Sequence, residues 1–202
     1  FGDLRLWFPT ANQVVRAFYK QHFARLDRQI VLIDVLSALN DGPTAFDDSA
    51  RALQARLAGL RVDRILSSPL QRARRTAELA MPGARIEADD DLMEWDYGAY
   101  EGRGTPDIEV ERPGWRLLRD GSPGGETLDA VAARGDRVIS RIRTWGDNAL
   151  LFGHREILRI LAVRWIGLAP IEARRLLLGT ASLSILGYDH DLAEPVIHAW
   201  CS

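Results

Sequence analysis

Cysteine is almost absent from this chain, since Cys201 is the only one among its 202 residues. A single thiol excludes a disulfide framework within the chain, which is typical of a reducing compartment. The sequence has no apolar run near the ~18 residues that a membrane-spanning helix needs. Residues 1–10 also lack the basic and apolar pattern of a secretory signal. We therefore expect a cytoplasmic protein with no membrane partner.

An excess of charge of one sign is missing as well. Lys and Arg number 26 against 28 Asp and Glu, which gives a net charge of −2 and no indication of a nucleic-acid partner. The four histidines are scattered without the spacing of metal ligands. We therefore expect neither a metal nor another cofactor. Nothing in the sequence determines the oligomeric state.

Short apolar runs alternate with amphipathic segments from residue 29 onward. The runs at 29–36, 62–67 and 149–153 predict buried strands. Further strands are predicted at 84–88, 181–188 and 196–200, and helices at 47–58, 69–80, 126–145, 155–166 and 171–178. Strands that alternate with helices of this length predict an α/β fold, with a mostly parallel sheet covered on both faces.

Two stretches depart from this alternation. Residues 1–28 form a divergent N-terminal segment ahead of the domain predicted at 29–202. Apolar residues at helical spacing across 12–26 place His22 on a packed face. Residues 89–123 are irregular and rich in glycine, proline and acids, so they are predicted to carry short helices and to cover a pocket.

The strand-to-helix turn at 66–72 is the first candidate site. Arg72 lies in the first turn of a helix that Pro69 opens, at the carboxyl end of a predicted strand, which is where ligands bind in α/β proteins. A guanidinium beside the free N–H groups of a helix start matches the oxygens of a phosphate. The alternative is a solvated helix face, which describes Arg74 and Arg75 better than Arg72.

Two further residues could complete a phosphate site. His154 follows the strand predicted at 149–153 and is either structural or faces a phosphoryl oxygen, as an imidazolium or as a neutral base. Glu94 lies between a methionine and a tryptophan, surroundings that raise the pKa of a carboxyl as a proton donor requires. A turn-capping role is the alternative for Glu94, and Asp96 competes with it.

Taken in order, these motifs resemble those of the histidine phosphatase superfamily, which has a phosphoglycerate-mutase-like fold. The resemblance runs from about residue 50 to the C-terminus and rests on the segments 67–78, 92–102, 125–127 and 152–159. It implies a three-layer α/β/α sandwich that acts on a small phosphorylated molecule. It also implies that Arg72 binds the phosphoryl group, that Glu94 donates a proton, and that His154 stabilises the phosphoryl group during transfer.

One motif of that family is missing here. The family's first strand ends in Arg-His-Gly, and its histidine attacks phosphorus. No Arg-His-Gly occurs among the 202 residues, and the predicted first strand runs instead into Asp34, Val35 and Leu36. Valine is not a nucleophile, and an ionised aspartate repels phosphate. We therefore expect a phosphomonoester-binding pocket with impaired phosphatase activity.

Three alternatives stay open at this point. The first is an active phosphomonoester hydrolase that uses water or a substitute nucleophile such as Asp34, with Glu94 or His154 as the base. The second is a pseudophosphatase that binds a phosphorylated ligand or a protein without turnover. The third is a structural domain with a vestigial pocket. The resemblance stops upstream of about Ser49, which indicates either a replaced segment or an altered reading frame.

Overall fold

The computed structural model describes residues 28–35 and 42–202, and the side chains of 42–48 are not described. The segment predicted as a helix around His22 and the end of the first predicted strand at Leu36 therefore lie outside the described residues.

Strands and helices alternate along the described residues. The strands are β1 (Ile30–Asp34), β2 (Arg64–Ser67), β3 (Glu87–Ala88), β4 (Ala149–Gly153), β5 (Leu183–Tyr188) and β6 (Pro195–Ala199). The helices are α1 (Gly42–Leu57), α2 (Gln71–Ala80), α3 (Thr105–Glu111), α4 (Leu117–Asp120), α5 (Leu128–Trp145) and α6 (Arg155–Trp165). Short 3₁₀ helices span Asp90–Leu92, Gly98–Tyr100 and Pro170–Arg175.

The six described strands form one sheet in the order β3–β2–β4–β1–β5–β6. β3, β2, β4 and β1 are paired in parallel, whereas β5 runs antiparallel to both β1 and β6. This topology confirms the predicted α/β fold with a mostly parallel sheet. Because β1, β2 and β4 are parallel, their carboxyl ends meet at one edge of the sheet, where ligands bind in such folds.

Helices cover both faces of the sheet. On one face, Val31 and Ile33 of β1 pack in a cluster with residues of α1 and α2. On the other face, Ile30 and Leu32 pack in a cluster with residues of α5 and α6. β1 and β4 are buried at every position, as central strands covered on both sides are. None of the helices in the described residues is long and apolar enough to cross a membrane.

Most elements differ from their predicted extents by one to three residues; β3, for example, spans only Glu87–Ala88 of the predicted 84–88. Two further elements differ by more or in type. α1 begins at Gly42 rather than at residue 47, because Pro43 is tolerated in the first turn, where its missing N–H needs no partner. The helix predicted at 171–178 is a 3₁₀ helix that ends at Arg175. The guanidinium of Arg159 donates two hydrogen bonds to the Ala173 carbonyl, at 3.1 and 2.8 Å, and the same carbonyl accepts from the Leu176 N–H at 3.1 Å in an i→i+3 hydrogen bond.

Candidate functional site

The turn after β2 is fixed to the end of β4. The Ser68 N–H donates to the Phe152 carbonyl at 2.9 Å, which extends the pairing of the two strands by one residue. The Ser68 hydroxyl then accepts from the Leu70 N–H at 3.3 Å, just before α2 begins. These two contacts hold the first turn of α2, and with it Arg72, at the carboxyl edge of the sheet.

Arg72, His154 and Ser68 form a hydrogen-bonded cluster at this edge. The Arg72 Nε–H donates to His154 Nδ1 at 3.1 Å. A guanidinium nitrogen can only donate, so Nδ1 must be the acceptor and the ring proton belongs on Nε2. His154 Nε2 lies 2.8 Å from the Ser68 hydroxyl oxygen, to which it then donates. The structure thus brings together the two residues that the sequence placed at separate strand ends.

His154 is neutral in this cluster. Burial, followed by the positive charges of Arg72 and Arg134, lowers the pKa of its imidazole to about 3. Of the two forms left open by the sequence, the ligand-free site therefore favours neutral imidazole over imidazolium near pH 7. The single N–H of this neutral ring is donated to Ser68, so His154 can donate to an oxyanion only by exchanging this partner.

The Glu94 carboxylate lies against the N-terminal end of α6, the helix that begins directly after His154. The carboxylate accepts from the backbone N–H groups of Trp95 at 3.0 Å and of Glu156 and Ile157 at 3.2 and 3.4 Å. Burial raises the pKa of Glu94 to about 7, while the hydrogen bond from Trp95 lowers it and the negative charge of Glu156 raises it further. A carboxyl that is half protonated near pH 7 has the property that a proton donor requires.

The backbone around Glu94 is held by Arg134 of α5, which sequence reasoning missed. Its guanidinium donates to the carbonyls of Asp91 and Met93 at 3.0 and 2.8 Å, and to the Glu126 carboxylate at 2.6 Å. The available signal was its spacing, because an arginine three residues after Val131 lies on the buried stripe of α5. Arg134 is therefore a positioning residue for the Glu94 loop.

The Gly125-Glu126-Thr127 motif fixes the same loop from the other side. The Thr127 hydroxyl caps α5 by accepting from the Ala130 N–H at 3.1 Å. The Glu126 carboxylate accepts from the Asp96 N–H at 3.1 Å. A Cβ at Gly125 would lie only 2.3 Å from the Asp96 carbonyl oxygen. The motif therefore lets the loop and the helix start approach closely.

Gly125→Ala is expected to destabilise the protein by roughly 1–3 kcal/mol, because the added methyl group overpacks this contact. Urea unfolding of both proteins measures the loss. Gly104→Ala is the matched control, because its Cβ would meet nothing closer than the Asp107 side chain at 3.3 Å. Equal losses in the two variants would show that the approach of the Glu94 loop is not the cause.

Asp34 and Val35 lie at the end of β1, beside His154. Asp34 pairs with Gly153 in the parallel register, and the Val35 N–H donates to the Gly153 carbonyl at 3.0 Å. One step further in this register brings Val35 level with His154, on the same face of the sheet. The Val35 side chain is buried in the cluster shared with α1 and α2. The position beside His154 is thus occupied by an inert side chain.

Asp34 is a buried acid in this site. Its side chain is buried at the carboxyl end of β1. Burial raises the pKa of its carboxyl to about 7; among the neighbouring charges, Glu94 raises it and Arg155 and Arg72 lower it. Near neutral pH a substantial fraction of Asp34 is therefore protonated, which the sequence alone did not indicate.

A group of possible metal ligands lies away from this edge. Asp189, His190 and Glu194 are exposed on the turn between β5 and β6, with their ligand atoms within 4.8 Å of one another. His190 Nδ1 lies 2.8 Å from the Glu194 carboxylate. The register of β1 with β5 places this turn at the opposite edge of the sheet from His154. The sequence analysis considered the spacing of the histidines and did not single out this group, which is remote from the candidate site.

An N-terminal stretch of the chain is similar to a different protein family. Residues 10–77 match the YcjX-like family, DUF463. The Ras-like GTPase YcjX of Escherichia coli is 61% identical over 42 residues, which are 21% of this chain and 9% of that protein. The match includes β1, so the central strand has the sequence of one family and lies in a sheet completed by the rest of the chain.

A longer stretch, which overlaps the first, matches the family whose motifs were noted in the sequence. An acid phosphatase of Mycobacterium tuberculosis is 34% identical over 133 residues, which span 64% of this chain and 64% of that protein, less than two thirds of its length. The structure of the open reading frame Rv3214 from Mycobacterium tuberculosis matches with a TM-score of 0.78 and 25% identity, over 86% of this chain and 96% of that one. The family model of the histidine phosphatase superfamily (branch 1) matches residues 47–201. The chain therefore belongs to the histidine phosphatase superfamily, branch 1.

Proposed function

We propose that this chain binds a small phosphomonoester at the carboxyl ends of β2 and β4 but hydrolyses it poorly. In this proposal Arg72 and His154 bind the phosphoryl group, and Glu94 is placed to donate a proton to the leaving group. The activity is impaired because no histidine stands at the end of β1. No cofactor takes part in the proposed binding.

The observation that carries this proposal is the state of Arg72. Its guanidinium is half-buried and bonded to a neutral histidine through Nε. Among the described residues, no carboxylate forms an ion pair with it. A partly desolvated cation without an acidic partner favours an anionic ligand, and the planar guanidinium matches two phosphoryl oxygens at once. The neighbouring N–H groups of the α2 start add to the attraction.

The proposal that the nucleophile is missing depends on the two residues beside His154. Val35 occupies the position that the family resemblance assigns to the attacking histidine, and its side chain has no lone pair. Asp34 could attack only as a carboxylate, yet burial raises the pKa of its carboxyl to about 7 and thus disfavours that form. A water-dependent hydrolysis with Glu94 as base is the slower alternative.

We further propose that the N-terminal segment is a replacement and not a product of an altered reading frame. The in-frame likeness to the YcjX-like family supports this, because translation in a wrong frame does not generate 61% identity to an existing protein. The folded domain is proposed to start at residue 29, since β1 belongs to the sheet although its sequence is YcjX-like. Residues 1–28 are then a separate N-terminal segment.

The binding function is tested with inorganic phosphate by calorimetry and with p-nitrophenyl phosphate for turnover. Arg72→Ala is expected to weaken phosphate binding about 10- to 100-fold, because it removes charge-assisted hydrogen bonds to the anion. His154→Ala is expected to weaken it less, since a neutral donor is lost. Arg74→Ala is the matched control, because Arg74 is exposed on the same helix and pairs with Glu78.

Each outcome of this test has a definite meaning. Phosphate binding that depends on Arg72, with turnover near the uncatalysed rate, supports the proposed pocket. Rapid turnover that is lost in Arg72→Ala and His154→Ala would instead support an active hydrolase with a substitute nucleophile. Binding that is unaffected by Arg72→Ala, or no binding at all, would contradict the proposal.

A further inference from the structure

We propose that Asp34 binds the phosphoryl group as a neutral carboxylic acid that donates a hydrogen bond, so that ligand binding is coupled to protonation of this side chain. The inference rests on the proposed phosphomonoester pocket and adds a binding residue to it. It also reverses the expectation that an aspartate at the end of β1 repels phosphate.

The position of Asp34 supports this role. It pairs with Gly153, the residue directly before His154, so its backbone is adjacent to the Arg72–His154 cluster. Its own backbone groups are occupied, because its N–H donates to the Ser182 carbonyl at 3.3 Å and its carbonyl accepts from the Ala181 N–H at 3.0 Å. The side chain is only 5% exposed. Among the described residues, none donates a hydrogen bond to its carboxylate.

A buried carboxyl without a donor is costly when ionised but suitable as a donor when protonated. In the ionised form, Asp34 would be surrounded by little solvent and no hydrogen-bond donor. In the protonated form, its O–H needs an acceptor. A phosphoryl oxygen held by Arg72 is an acceptor of the required kind, and its negative charge strengthens the hydrogen bond.

Some of the charges around Asp34 raise the pKa of its carboxyl, and others lower it. Glu94, on the loop after β3, and Glu156, in the first turn of α6, disfavour a third negative charge in the site. Arg155 in α6 and Arg72 in α2 favour it. Burial outweighs both effects and raises the pKa of the Asp34 carboxyl to about 7. Because the bound anion adds a further negative charge, its arrival raises this pKa again, and Asp34 above pH 7 takes up a proton from solvent on binding.

The test uses sulfate, a phosphate-like dianion that does not itself titrate between pH 5 and pH 8, and measures its dissociation constant by calorimetry. Glu94 also titrates near pH 7, so the comparison is made in the Glu94→Gln background. In this background the dissociation constant of sulfate is expected to rise at least about tenfold from pH 5 to pH 8 as Asp34 ionises. Adding Asp34→Asn is expected to make it independent of pH, since an amide donates a hydrogen bond at every pH.

Proton uptake gives an independent readout. At pH 7.5 the binding enthalpy in the Glu94→Gln background is expected to depend on the ionisation enthalpy of the buffer, which shows uptake of most of one proton per sulfate. With Asp34→Asn added, that dependence is expected to vanish. Circular dichroism of each variant checks that it is folded before it is titrated.

The possible failures are distinguishable. If sulfate binding depends on Arg72 but its pH profile is the same with and without Asp34→Asn, the role of Asp34 is overturned while the proposed function stands. If binding in the Glu94→Gln background is flat with pH, the same conclusion follows. If no variant binds sulfate at any pH, the phosphomonoester pocket itself is overturned.

Discussion

The double substitution Asp34→Arg and Val35→His is expected to raise the rate of p-nitrophenyl phosphate hydrolysis by at least about 10³-fold over the unmodified chain. The reason is that the pocket already holds an arginine, a neutral histidine and a buried carboxyl of raised pKa. Under the proposed function, what it lacks is a group that attacks phosphorus. A covalent intermediate divides one difficult step into two easier ones, and a histidine at position 35 would supply it.

The position of Val35 suits the introduced histidine. Val35 lies level with His154 on the neighbouring strand and on the same face, so an imidazole at position 35 would be adjacent to the one at position 154. The register of β1 is fixed on both sides, by β4 and by β5, which keeps the backbone in place when the side chain changes. Rates are measured by release of p-nitrophenol, and formation of phosphohistidine by acid-labile labelling of the protein.

A control of similar size isolates the nucleophile. Asp34→Arg with Val35→Gln has the same arginine and a polar side chain at position 35, but no imidazole, and it is expected to remain inactive. Adding His154→Ala to the graft is expected to abolish the gain. A grafted protein that is folded, binds phosphate and still fails to turn over would contradict the proposal that the absent histidine impairs the activity.

Glu156→Leu is expected to lower the free energy of unfolding by about 3–5 kcal/mol, because it leaves a buried guanidinium without its counter-ion. Arg159 donates to both carboxylate oxygens of Glu156, at 2.9 and 2.8 Å, and the two side chains are 8% and 9% exposed. This pair links the start of α6 to the 3₁₀ helix at Pro170–Arg175, through the bonds from Arg159 to Ala173. Urea unfolding measures the change.

Two further variants test whether the unpaired charge of Arg159 causes the loss of stability. The double variant Glu156→Leu and Arg159→Leu is expected to recover most of the loss, since removing both charges leaves no unpaired ion. Asp136→Ala removes the exposed partner of Arg164 and is expected to cost no more than about 1 kcal/mol. A loss in the double variant as large as in the single one would indicate that packing around Glu156, and not the unpaired charge, is responsible.

Most of the fold was accessible from the sequence because strand and helix periods are local properties. The run at 149–153 predicted β4 without error, and the apolar spacing of α6 was equally clear. The 3₁₀ form of Pro170–Arg175 was missed, and the hydrogen bonds that Arg159 makes to this segment are tertiary contacts with no local signature.

Some residues of the candidate site were likewise identifiable from the sequence, and others were not. Arg72 and His154 were identifiable because each follows a strand, and the topology then brings the two strand ends together. Arg134 was not identified, because an arginine on a helix is usually a solvated residue and only the folded structure shows what its guanidinium holds. The protonation of Asp34 was inaccessible for a similar reason, since burial and the charge of Glu94 arise only when three separate segments meet.

The central position of β1 has a consequence for how such a protein can arise. β1 lies where the sheet changes direction, with a parallel partner on one side and an antiparallel partner on the other. These two ladders constrain its backbone and require apolar side chains, and Val35, the residue that follows the strand, is buried in the same apolar cluster as Val31 and Ile33. A single recombination event that exchanges the whole strand can therefore change the residue beside His154 in one step. Stepwise mutation of the same buried segment would instead pass through intermediates with disrupted packing.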